Sequence, residues 1–133
     1  MESLLPLLLL ISITSVIGLL LRAKKGEIKK GTRVKISEGE FGGKYGSRLT
    51  ILQFSTTFCS ECRTAKAIVK DVVKDSKDIT YVEVDAESNL DLVRRVDIRS
   101  TPTTIFLDSK GFEIARAKGA PKRDQLIKAI KAI

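Results

Sequence analysis

The sequence predicts an α/β fold, with a mixed central sheet covered by helices on both faces, preceded by one long apolar helix. Three observations carry this. Strand-like and helix-like segments alternate from Leu49 onward. The last two strand-like segments are joined by a tight turn. And Ser3 to Leu21 is nearly all apolar and carries no charge.

The N-terminal run needs explaining first. A helix crosses a bilayer with about 20 apolar residues. Ser12, Thr14 and Ser15 can bond back to helical carbonyls, and Pro6 falls in the first turn, where its missing N–H costs little. A cleaved signal peptide would want a basic start and small residues at a cleavage site. Only Met1 and Glu2 precede the run, and Gly18-Leu19-Leu20-Leu21-Arg22 offers no such site. A buried core helix is seldom apolar on every side. The expectation is therefore an uncleaved anchor over residues 1–22. No Lys or Arg precedes the span, whereas Arg22, Lys24, Lys25, Lys29, Lys30, Arg33 and Lys35 follow it. The positive-inside rule then places the remainder in the cytoplasm of a single-pass membrane protein, with the extracytoplasmic side as the alternative.

Residues 23–46 read as a basic, glycine-rich juxtamembrane linker. Thr32 to Ile36 alternates like a short strand, and Glu38 to Gly46 reads as a loop. The folded domain is expected over residues 47–133. Leu49 to Ser55 reads as a buried strand and Ser60 to Asp75 as a helix with Ala65, Ile68, Val69, Val72 and Val73 on one face. Ile79 to Val84 follows as a strand, Asn89 to Val96 as a short helix, and Thr103 to Leu107 as a third strand. Asp108 to Gly111 is a turn, Phe112 to Ala117 a returning strand, and Arg123 to Ile133 a final helix. The helical crossover makes the first two of these strands parallel. The hairpin makes the last two antiparallel.

Composition excludes several chemistries. The chain of 133 residues contains no histidine, so neither a Ser-His-Asp triad, a Cys-His nucleophile pair nor a histidine metal site can form. Two cysteines cannot make a Cys₄ zinc site or a disulfide-stapled scaffold. No cofactor or metal is expected. The formal net charge of +8 is concentrated after the apolar run, a pattern of membrane topology rather than of nucleic-acid binding.

The two cysteines, Cys59 and Cys62, lie between a strand and a helix with Ser60-Glu61 between them. Thiols so spaced can close a disulfide inside one turn and reopen it, which is the layout of a dithiol redox centre. A chance pair, or half of a shared zinc or copper site, is the competing reading.

The element order, Gln53-Phe54-Ser55-Thr56-Thr57-Phe58-Cys59-Ser60-Glu61-Cys62-Arg63, Val82-Glu83-Val84-Asp85, Thr101-Pro102-Thr103 and Gly119 together resemble the thioredoxin family over about residues 47–133. The whole chain looks like a small, membrane-tethered bacterial thioredoxin-like protein. The resemblance implies Cys59 as exposed nucleophile and Cys62 as buried resolving thiol. It also implies a cis bond before Pro102, and a groove in which Phe58, Thr101 and Pro102 meet the substrate. Phe58 replaces the family's usual tryptophan. Gln53 falls where many relatives bury an acid that shuttles the resolving cysteine's proton, and a glutamine cannot titrate. Arg63 and Lys66 add positive charge near the thiols, which Glu61 opposes. The activity implied is thiol–disulfide exchange on a protein disulfide or dithiol, recycled by a thiol reductase or oxidase. In a reducing cytoplasm it would run as disulfide reduction. A redox-silent adaptor at the membrane is the alternative that Gln53 raises.

Overall fold

The computed structural model describes residues 4–133. Its first element, α1 (Leu4–Ala23), is a helix with no buried residue. Its large apolar side chains are 51–68% exposed, and Ser12 Oγ and Thr14 Oγ1 donate to carbonyls of the preceding turn. In length and composition it can cross a membrane. The expected anchor starts at residue 1, and residues 1–3 lie outside the described part.

Nine elements follow: β1 (Ile28–Lys30), α2 (Glu38–Phe41), β2 (Leu49–Ser55), α3 (Ser60–Val73), β3 (Ile79–Asp85), α4 (Leu90–Arg95), β4 (Thr103–Leu107), β5 (Glu113–Lys118) and α5 (Arg123–Ala132). The sheet runs β1-β5-β4-β2-β3. Only β2 and β3 pair in parallel, Leu49 opposite Ile79. The other ladders are antiparallel. Every residue of β2 and β4 is buried, as expected for central strands covered on both sides. Alternation along β2 divides the core. Leu49 and Ile51 pack with Val69, Val73, Leu126 and Ile130 under α3 and α5. Leu52 and Phe54 point the other way, against Ile36, Phe41, Leu92 and Ile98.

The segment 23–46 is not the linker that its composition suggests. Ile28 to Lys30 form the edge strand beside β5, with Ile28 opposite Ala117. Ile36 and Phe41 are buried in the core. The expected strand at 32–36 shrinks to a single bridge, Lys35 with Phe112, because Arg33 adopts φ 59° and interrupts the extended run. Gly31 lies flush on β5, where a Cβ would sit 2.7 Å from Glu113 Cγ. The expected loop at 38–46 contains the one-turn helix α2. Its start is held by the Glu40 carboxylate, which accepts from the Ser37 N–H and Oγ at 2.7 and 2.8 Å. Ser-x-x-Glu is a capping pattern, and it was present in the sequence to be read.

Candidate active site

β2 ends at Ser55, and four residues later Cys59 is the N-cap of α3. An N-cap residue is extended while the helix behind it presents unpaired N–H groups, so Cys59 stands at a site that favours an anion. The Cys62 N–H donates to Cys59 Sγ at 3.2 Å. The two cysteines are joined as a disulfide, with Cα atoms 5.2 Å apart. They are not equivalent. Cys62 is 3% exposed, whereas Cys59 is half-buried and faces an open groove of about 580 Å³.

Ser100 and Thr101 come to the same groove from the loop before β4, and the bond from Thr101 to Pro102 behind it is cis. Thr101 Oγ1 lies 3.4 Å from Thr56 Oγ1, which ties that loop to the end of β2. Pro102 is buried, and its carbonyl accepts from the Gly119 N–H at 2.8 Å. Phe58 is 99% exposed beside Cys59. An aromatic ring left wholly in water next to a reactive sulfur is a contact surface in waiting.

Behind the disulfide, Gln53 is fully buried. Its Nε2 donates to Ser55 Oγ at 3.0 Å and to the Cys62 carbonyl at 2.9 Å. Its Oε1 accepts from the Tyr81 hydroxyl at 2.9 Å. Both polar atoms of this side chain are therefore hydrogen-bonded, one Nε2 bond holds the Cys62 carbonyl, and an amide does not titrate as a carboxylate would. Burial, and then the Glu83 carboxylate, pushes the Tyr81 phenol well above its ordinary range, so it too stays protonated at neutral pH. The supporting charges are spread more widely than the sequence suggests. Lys66 is engaged with Glu83 at 3.4 Å, Arg63 is exposed, and Glu61 pairs with Lys25 from the turn after α1. That last contact was not legible in the sequence.

A family model described as Thioredoxin matches residues 34–132. The chain belongs to the thioredoxin family. It is 32% identical over 77 residues to Thioredoxin H5 of Oryza sativa subsp. japonica, a match covering 58% of this chain and 56% of that one. It is 28% identical over 86 residues to a thioredoxin of Ophiophagus hannah, covering 65% and 80%. Among solved structures it is similar to thioredoxin-2, described as a component of malaria parasite protein secretion machinery. That similarity has a TM-score of 0.59 and 28% identity, and covers 65% of this chain and 84% of that one. Thioredoxin membership and the Cys59–Cys62 pair together indicate a thiol–disulfide oxidoreductase.

Gln53 gives this thioredoxin a testable peculiarity. In a Gln53→Glu variant an ionisable group faces the Cys62 carbonyl, and burial lifts its pKa towards neutrality. The rate at which Cys62 releases a coloured thiol from a Cys59 mixed disulfide should then gain an inflection near neutral pH that the wild type lacks. A profile unchanged by the substitution would show that position 53 has no influence on that proton.

Proposed function

We propose that this chain is a membrane-anchored oxidoreductase that reduces protein disulfides. The carrying observation is the asymmetry of the cysteine pair, one sulfur open to a groove and the other sealed behind it. The Cys59 thiolate attacks one sulfur of a substrate disulfide. The substrate S–S bond breaks, and the departing thiolate takes a proton from water. The Cys62 thiolate then attacks Cys59 Sγ and releases the second substrate thiol. Two electrons pass to the substrate, and the enzyme is left as the Cys59–Cys62 disulfide, to be reduced by a thiol reductase. Phe58, Thr101 and Pro102 form the substrate surface. Arg63 and Lys66 stand on α3 beyond the groove lining, Lys66 offset by Glu83, and Gln53 holds the Cys62 backbone. In this reading α1 is the single membrane span, and the basic residues after it hold the domain on the cytoplasmic side.

Two measurements test this. The full chain in detergent should accelerate reduction of a protein disulfide by dithiothreitol, and Cys59→Ser should remove the acceleration. A redox-silent adaptor would give none in either case. On intact cells a membrane-impermeant thiol reagent should leave Cys59 and Cys62 unlabelled until lysis. Labelling before lysis would place the domain outside.

A further inference from the structure

One wall of the groove does not come from the redox loops. It is made by Leu21, the last leucine of α1, and by Lys24 and Lys25 just after it. This wall is fastened to the site at two points. Lys25 pairs with Glu61, the residue between Ser60 and Cys62. The Gly26 N–H donates to the Lys118 carbonyl at 2.6 Å. Gly26 has φ 81°, and a Cβ there would lie 2.1 Å from the Ala120 carbonyl oxygen, so only glycine allows this approach. Only Lys24 to Glu27 separate α1 from β1. The end of the apolar helix is thus part of the groove into which Cys59 opens, and Phe58, 99% exposed, stands on its rim.

The chemistry of this wall selects an occupant. With α1 in a bilayer, Leu21 marks the edge of the hydrocarbon, and the groove lies in the headgroup layer, where an exposed phenylalanine is at home. Lys24, Lys25 and Lys118 line it with Glu61, and because Lys25 and Glu61 offset each other as a pair, the surplus positive charge is that of Lys24 and Lys118. We infer that the groove receives a disulfide in the juxtamembrane segment of another integral membrane protein, flanked by acidic residues, and that the exit of α1 selects substrates by their depth relative to the bilayer. This rests on the redox role of Cys59 proposed above and names the substrate class for it.

The test uses the full chain, reduced and reconstituted in phosphatidylcholine vesicles. The probes are membrane-spanning peptides that carry an acidic-flanked intramolecular disulfide, either directly after the apolar span or displaced on a long glycine-serine spacer. A soluble disulfide peptide serves as reference. The near disulfide should be reduced about tenfold faster than the far one at low salt, and replacing its acidic flanks by serine should slow it several-fold. Lys24→Ser with Lys118→Ser, which leaves the Lys25–Glu61 pair in place, should abolish the difference between acidic and neutral flanks. The salt dependence of the acidic peptide should go with it. Equal rates for near, far and soluble disulfides would overturn the depth selection and leave the reductase intact. Reduction of none of them would overturn the redox reading itself. Loss of the near preference when anionic lipid is added would show that the lysine wall holds lipid headgroups instead, which also overturns the inference.

Discussion

A Cys62→Ser variant should stop halfway, with the substrate held on Cys59. The attack by Cys59 needs only a groove-facing, thiolate-favouring sulfur at the start of α3, and the substitution leaves that in place. Release needs a second sulfur already in position. In the wild type the two Cα atoms are 5.2 Å apart and Cys62 is shielded from solvent, so release is intramolecular. Such steps carry effective concentrations of about 10⁵ M or more when well aligned. With serine there, release depends on an external thiol at millimolar concentration and should slow at least about a thousandfold. Covalent adducts should therefore accumulate, visible on a non-reducing gel and lost on reduction. Cys59→Ser should form none. If Cys62→Ser turns over like the wild type, the assignment of the two roles is wrong.

The second large effect lies far from the sulfurs. Glu113 is fully buried on β5 and accepts from Thr32 Oγ1 at 2.6 Å and from Arg116 at 2.6 and 3.0 Å. Residues three apart on a regular strand face opposite ways. Here Leu107 pairs with Glu113 and Phe106 with Ala115, so Ile114 is an extra residue, and the bulge turns Glu113 and Arg116 to one side. Arg116 also donates to the carbonyls of Val96 and Asp97 at 2.8 and 3.3 Å. These open the loop that carries Thr101 and Pro102. Arg116→Leu removes the counter-charge of a carboxylate with no access to water, which costs about 3–5 kcal/mol. Thr32→Val removes one bond to it and should cost about 1.5 kcal/mol. Urea unfolding of each variant checks both numbers. Hydrogen exchange at Ile98 to Thr103 should rise in Arg116→Leu. A cost below about 1 kcal/mol for Arg116→Leu would mean that the carboxylate finds another partner.

Periodicity made most of this fold readable. β2 and β4 are rich in apolar and β-branched residues and buried along their whole length because both faces are covered. α3 and α5 show their inner faces at helical spacing because each packs on one side of the sheet. The strand β1 was hidden because it has one apolar residue in three, and its place depends on the open edge of β5 rather than on its own pattern. The Ser37–Glu40 cap was visible and outweighed by the glycines around it. At the site, Cys59 and Cys62 could be picked from the sequence because strand–turn–helix order frames them, and the Thr101-Pro102 loop through the resemblance to the thioredoxin family. Leu21, Lys24 and Lys25 could not, since their approach to Glu61 and Lys118 is tertiary and no local spacing encodes it.

The edge strand has a practical consequence for anyone handling this domain apart from its helix. β1 is the first strand of the chain and its partner β5 the last, with Ile28 opposite Ala117. A fragment beginning at residue 47 lacks it, together with Ile36 and Phe41. It leaves the backbone groups along β5 unpaired, an invitation to join a second copy edge to edge. The sheet survives a cut within the four residues from Lys24 to Glu27, and the first two of these wall the groove. A fragment that starts there keeps its sheet but gives up Leu21, the part of the groove wall that belongs to the helix.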